Sequence, residues 1–299
     1  MTDLVKIIAG PCSVDFQNKH EIIESLGIKL NGKSALYGVR VVGLKSRTNF
    51  DPKNAFIGID IENYNENCEI MMRAGAIKNM PSVEIANEIQ AISPNTFIAT
   101  EIIDQWVQPA VLAKFLRSKN AIIWNPAVNH LGFPMQVMAR FAKQNGWKVG
   151  IKNGKTLGSS LEKSEVQNQQ TSLDKSWAGL ASYADILHES DVFFIHRGVD
   201  LGDNQGFRNY PVHNLCSRVK NAINQEIFLD PSHIAGPKKR DEIVDFTVDA
   251  MKIKDVNGSY LYTGILLECG TAKSDTEQHI SHAELEQIIA EVTKFRKLG

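Results

Sequence analysis

Cysteine is scarce in this chain. Cys12, Cys68, Cys216 and Cys269 are scattered over 299 residues, too few and too far apart for a disulfide framework, and no Cys-x-x-Cys pair occurs. A reducing, cytoplasmic setting is the expectation. Charge of one sign is also missing. The formal net charge of -1 gives no support for general nucleic-acid binding, so any basic cluster has to be local. No apolar run approaches the roughly 18 residues of a membrane span. The opening MTDLVKIIAGP lacks the charged, apolar and small-residue succession of a secretion signal. No Pro, Gly or Ser-rich linker, internal repeat or low-complexity tract divides the sequence. With 43% hydrophobic and 22% charged residues, the composition is that of a globular protein, expected as one domain over 1–299.

What the chain does have is a succession of short apolar segments. They read VKIIAGP (5–11), ALYGVRVV (35–42), FIATE (97–101), AIIWNP (121–126), KVGIKNG (148–154), VFFIHRG (192–198), EIFLDPSH (226–233) and GILLECG (264–270). Nearly continuous apolar runs of this length suit parallel strands covered on both faces. Helical patterns lie between most of them. Val107, Val111 and Phe115 share one helical face, as do Val212, Leu215, Cys216 and Val219. Ser281 and Glu284 form a capping box ahead of the stripe Leu285, Ile288, Ile289, Val292. Eight strands alternating with helices predict an α/β fold, a (β/α)8 TIM barrel. A doubly wound sheet is the competitor, but it would leave two exposed edges. Two connections are long: 43–96, with a short helix expected around CEIMMRAG, and the polar stretch 154–176, expected to be a flexible lid or insertion.

In barrels of this kind the carboxyl ends of the strands build the site, and here those ends carry chemistry. Arg40, Lys45, Arg47, Lys152 and Arg197 form a basic group. Cations converging at one mouth of a nearly neutral protein imply a small, strongly anionic ligand bearing phosphate or carboxylate. The competing reading pairs them with Glu101, Asp104 or Asp230. A second group, Cys12, His233, Glu268 and Asp275, offers thiolate, imidazole and carboxylate to a divalent transition metal. No local spacing supports that set, and a buried cysteine is often simply a small apolar residue. GIKNGK is not a complete phosphate-binding Walker loop. His130 and Trp124, near the rim of the fourth strand, suit packing as well as catalysis. Cys68 and Cys216 read as packing residues, and Cys269 as either core or a neighbour of the metal group.

The ordered series GPCS (10–13), VRVVGLKSRT (39–48), ATE (99–101), GIKNG (150–154), HRG (196–198), FRN (207–209), DPSHIAG (230–236) and LLECG…SDTEQ (266–278) resembles the 3-deoxy-D-arabino-heptulosonate 7-phosphate (DAHP) synthase family. The wider superfamily includes 3-deoxy-octulosonate 8-phosphate synthase. The resemblance implies a cytoplasmic transferase of the shikimate pathway, which leads to the aromatic amino acids. It would condense phosphoenolpyruvate with erythrose 4-phosphate, using one divalent metal (Mn, Fe, Zn or Co). By the same resemblance, Cys12, His233, Glu268 and Asp275 match the metal ligands. Arg40, Lys45, Lys152 and Arg197 match the phosphoenolpyruvate site. Arg47, Thr48 and Asp230 match the site of the aldose phosphate. Lys45, Glu101 and His233 would serve catalysis. Where the family reads IGAR after its fourth strand, this chain reads WNPA, with Ala127 at the place of a phosphate-binding arginine. The remaining expectations are a dimer or tetramer, no regulatory domain, possible pairing with a chorismate mutase, and no nucleic-acid or membrane partner. The alternatives are the same chemistry on arabinose 5-phosphate or an unphosphorylated sugar, and a phosphoenolpyruvate-binding protein without turnover.

Overall fold

A computed structural model describes residues 4–14, 16–43, 81–102, 108–125, 132–154, 161–184, 191–271 and 277–299. In chain order the elements are β1 (Leu4–Gly10), α1 (His20–Gly27), the small hairpin β2 (Lys29–Leu30) and β3 (Lys33–Ser34), and β4 (Gly38–Arg40). Next come α2 (Pro81–Ile92), β5 (Phe97–Glu101), α3 (Gln108–Phe115), β6 (Ala121–Trp124), α4 (Gly132–Asn145) and β7 (Lys148–Lys152). Then follow α5 (Lys163–Asn168), α6 (Ser172–Ala184), β8 (Asp191–His196), α7 (His213–Ile223) and β9 (Ile227–Leu229). The series ends with α8 (Pro231–Ala235), α9 (Ile243–Ala250), β10 (Gly264–Glu268), α10 (His282–Thr293) and β11 (Lys297–Leu298).

Strands β1, β4, β5, β6, β7, β8, β9 and β10 pair in parallel with their neighbours. Ile8 of β1 sits opposite both Gly38 of β4 and Leu266 of β10, which closes the sheet. This is the expected (β/α)8 barrel, and all eight anticipated strands are in it. Closure satisfies every edge and leaves two faces to fill. The inner face holds Ile8, Ala99, Ile122, Trp124, Phe193, Ile195, Phe228 and Leu266 as one buried cluster. The alternate residues, among them Val39, Ile98, Ile123, Val149, Phe194, Ile227 and Ile265, pack outward with the helices in a second cluster. Strand periodicity then fixes where the polar strand ends point. Arg40, Glu101, Lys152, Asp230 and Glu268 continue the inward columns, and Arg197 continues that of Phe193 and Ile195.

The inner layers combine large side chains with glycine. A Cβ on Gly150 would lie 2.6 Å from Ile195 Cδ1 and 3.2 Å from Trp124 Cβ, so glycine there makes room for both. At the amino-terminal mouth, Lys6 pairs with Glu226 at 2.7 Å and Lys148 pairs with Asp191. There Tyr37 stacks on Phe97 with centroids 4.6 Å apart.

The carboxyl-terminal helix α10 begins as expected, with Ser281 and Glu284 forming a reciprocal capping box and Leu285, Ile288, Ile289 and Val292 buried. The 154–176 stretch differs from expectation over its described part. Residues 163–168 form α5, and α6 begins at Ser172. Polar composition hid a sparse apolar anchorage: Val166, Leu173 and Trp177 are buried. Arg218 of α7 ties the two helices down, reaching the Val166 carbonyl at 2.7 Å and Asp174 Oδ1 at 2.6 Å. The expected helix around CEIMMRAG, with Cys68, lies outside the described residues.

His196 occupies the outward face of β8, between Trp177 and Tyr262, each with its centroid 6.2 Å away. It is fully buried, and among the described residues neither ring nitrogen has a hydrogen-bond partner. Burial drives its pKa well below 6.5 and lowers that of neighbouring His213 to about 4. Both rings are therefore neutral in the fold, whereas unfolded imidazoles take up protons below about pH 6.5. Stability is thus complete above that pH and falls as the pH drops from 6.5 toward 4. His196→Leu is expected to flatten this fall, as read by urea unfolding at pH 7 and pH 5. An unchanged difference between the two midpoints would show that His196 does not contribute to it.

Candidate active site at the carboxyl mouth of the barrel

Local sequence sets each side chain at the mouth. In the segment following β9, Asp230 caps α8 by accepting the His233 backbone N–H at 3.2 Å, with Pro231 in the first turn. The same Oδ1 lies 3.0 Å from His233 Nδ1. One carboxylate thus fixes both the position and the ring orientation of the histidine. At the end of β10, the Glu268 backbone N–H donates to Ser232 Oγ at 3.0 Å. One Glu268 oxygen takes Arg40 Nη2 at 3.1 Å and the other takes Gln278 Nε2 at 2.8 Å.

After β8, Arg197 is held by two asparagines. Its N–H donates to Asn153 Oδ1 at 2.9 Å, and its Nη1 reaches Asn209 Oδ1 at 3.4 Å. Asn209 Nδ2 also donates to the His233 carbonyl at 2.6 Å, joining the β8 and β9 ends. Gly198 makes this approach possible. Its φ is +79°, and a Cβ there would lie 2.6 Å from the Asn209 carbonyl oxygen. Gly198→Ala is expected to cost at least ~1–3 kcal/mol, because neither main chain can yield cheaply. Urea unfolding measures it, and a loss under ~0.5 kcal/mol would contradict the packing.

Among the described residues, the mouth cations Arg40 and Lys152 stand beside carboxylates. Lys152 Nζ lies 3.4 Å from Asp230 Oδ2 and 3.7 Å from Glu101 Oε2. Arg40 pairs with Glu268. The competing expectation, that acidic neighbours pair with the cations, therefore holds for Lys152 through both Glu101 and Asp230. Among the described residues, the buried charges Arg40, Lys152 and Arg197 balance Glu101, Asp230 and Glu268. Asp230 is wholly buried, and burial alone would raise its pKa. His233 and Lys152 beside it outweigh that and hold the carboxyl well below the usual range. Burial also lowers the pKa of His233 and so favours the neutral ring. One donor stays open: Arg40 is 0% exposed, and its Nη1 has no hydrogen-bond partner among the described residues. An unmet buried guanidinium N–H is costly and marks where an acceptor belongs.

Of the expected metal-ligand group, Cys12, His233 and Glu268 are described and buried. Among the described residues no three His, Cys, Asp or Glu side chains converge closely enough to hold an ion. What converges is a pair, His233 Nε2 and Glu268 Oε1, 4.0 Å apart. Two donors each about 2.1 Å from one tetrahedral ion lie about 3.4 Å apart, so this pair would hold one after closing by about 0.6 Å. Asp230 on Nδ1 supports the tautomer whose Nε2 lone pair is available. Asp275, Lys45, Arg47, Thr48 and the Ala127 segment with His130 lie outside the described residues. Cys216 and Cys269 are buried thiols whose pKa burial raises to about 12, which fits packing roles.

Residue-by-residue reading of the sequence assigned no role to Gln278, Arg208, Asn209 or Asn153. Gln278 is fully buried and bridges Glu268 to Arg208, whose Nη1 donates to its Oε1. These residues fall within the FRN, SDTEQ and GIKNG segments, but their partners lie 10 or more residues away along the chain.

By sequence the chain matches no family model and no curated protein. By structure it is similar to a truncated form of 3-deoxy-D-arabino-heptulosonate 7-phosphate synthase from Thermotoga maritima. That comparison has a TM-score of 0.63 at 17% identity, covering 99% of this chain and 90% of that one. Tryptophan synthase from M. tuberculosis is also similar, with a TM-score of 0.49 at 9% identity over 100% of this chain and 94% of that one. The Thermotoga likeness is one of fold.

Proposed function

We propose that the barrel condenses phosphoenolpyruvate with erythrose 4-phosphate, giving DAHP and inorganic phosphate in a metal-dependent reaction. The observation that carries this reading is Arg40, wholly buried at a mouth shared with Lys152 and Arg197, its Nη1 without a hydrogen-bond partner among the described residues. The collinear motifs and the fold shared with the Thermotoga synthase support it.

A divalent ion (Mn, Fe, Zn or Co) held by His233 and Glu268, with Cys12 and Asp275, would supply Lewis-acid polarisation of the aldehyde carbonyl. Arg40 would bind the phosphoenolpyruvate carboxylate through its open donor, while Lys152 and Arg197 take the phosphate. Arg47 and Thr48 would hold the far phosphate of the aldose, with Asp230 beside it, so that the two substrates meet at one place. The methylene carbon of phosphoenolpyruvate attacks the aldehyde carbon. Water adds at the second carbon, and phosphate leaves with the bridging oxygen by C–O cleavage. Lys45 would move the proton to the new hydroxyl, and Glu101 would take one from the incoming water. A divalent cation would also tip the balanced mouth toward positive charge, which favours a trianionic substrate.

The test is phosphate release from phosphoenolpyruvate by manganese-loaded protein, with the condensation product identified by mass. Release with erythrose 4-phosphate is expected. Release with arabinose 5-phosphate alone would overturn the acceptor. No release with any short aldose or aldose phosphate, from protein shown to contain metal, would overturn the reaction.

A further inference from the structure

Trp124, the last residue of β6, has no part in the chemistry just described, yet it touches three groups that do. Its indole is fully buried on the inner face of the barrel. Arg40 Cζ lies 5.7 Å from the ring centroid and Lys152 Nζ lies 5.6 Å from it. The indole N–H donates to Glu101 Oε2 at 3.2 Å, and Glu101 and Trp124 are register partners on β5 and β6. Gly150, the register partner on β7, has no Cβ to press on Ile195 Cδ1 or on Trp124 Cβ, which would lie 2.6 Å and 3.2 Å from one.

Two like charges desolvated in one small cavity repel each other strongly. The negative face of an aromatic ring offsets that cost without occupying their hydrogen bonds, and tryptophan offers the best such face. Unlike Glu101, Asp230 and Glu268, which already stand beside these cations, the ring does not compete with an incoming anion for their hydrogen bonds. We infer that Trp124 is a positioning residue. Its ring face sets Arg40 and Lys152 for one anion, while its N–H keeps Glu101 turned to one side. This rests on the mouth being the phosphoenolpyruvate site.

Two variants separate the parts. Trp124→Phe keeps an aromatic face and loses the N–H, and Trp124→Leu loses both. Binding of phosphoenolpyruvate to manganese-loaded protein is read by calorimetry, beside kcat and KM. Trp124→Phe is expected to bind within about threefold of the wild type, with the loss falling on kcat through Glu101. Trp124→Leu is expected to bind at least about tenfold more weakly. A spectroscopic readout stands apart from folding. Phosphoenolpyruvate should change the tryptophan emission of the wild type as the two cations turn to the ligand. That change should be absent from Trp124→Phe, which keeps Trp106, Trp147 and Trp177.

If all three proteins bind equally well, or the emission change persists in Trp124→Phe, the role of Trp124 is overturned while the site stands. If the wild type itself does not bind phosphoenolpyruvate, the site assignment fails instead.

Discussion

Glu268→Ala is expected to abolish turnover and to destabilise the fold by about 3–5 kcal/mol. Glu268 and Arg40 are both wholly buried and 3.1 Å apart. Removing the carboxylate strands a desolvated cation and also leaves Gln278 Nε2 without its acceptor. Denaturant unfolding measures the loss. The informative partner is the double variant Arg40→Met with Glu268→Leu. An apolar pair of similar volume is expected to recover most of the stability and none of the activity. A double variant as unstable as Glu268→Ala would mean that the carboxylate supports the fold through contacts other than Arg40.

Lys152→Met is expected to weaken phosphoenolpyruvate binding by about a hundredfold, since it removes a buried, charge-assisted contact. Lys152 is 2% exposed, with Asp230 at 3.4 Å and Glu101 at 3.7 Å. Its loss leaves two carboxylates facing the place where a phosphate would sit, so repulsion adds to the missing attraction. Lys152→Arg is not expected to rescue binding, because a planar fork does not fill the space of a compact ammonium over the Trp124 ring. Calorimetry with manganese-loaded protein reads both variants. Wild-type affinity in Lys152→Met would remove this residue from the phosphate site.

Much of the barrel was legible in the sequence, for a definite reason. Strands covered on both faces must be apolar at nearly every position, so FIATE and GILLECG stand out from the amphipathic helices beside them. The strand parity that makes Ala99 and Leu266 internal also aims Glu101 and Glu268 at the mouth. Among the described residues the candidate site was therefore legible as an inventory of strand ends. Its pairings were not. Lys152 lies between Asp230 of the β9 end and Glu101 of β5, and nothing local to GIKNG predicts either contact. Gln278 was hidden because a glutamine in a polar segment carries no sign of being wholly buried. The helices α5 and α6 are hard to read from sequence because, among the described residues up to 176, the fully buried apolar side chains are few, Val166 and Leu173. By sequence Trp124 suits packing as well as catalysis. It is packing, and it also lies against two cations and a carboxylate.

The most direct test of the central claim is a crystal structure of the protein with phosphoenolpyruvate and manganese. The expected result is phosphoenolpyruvate bound by Arg40, Lys152 and Arg197, with an anomalous manganese peak between His233 Nε2 and Glu268 Oε1. Phosphoenolpyruvate bound elsewhere, or a mouth in which Arg40 Nη1 meets only protein and manganese avoids His233, would contradict it.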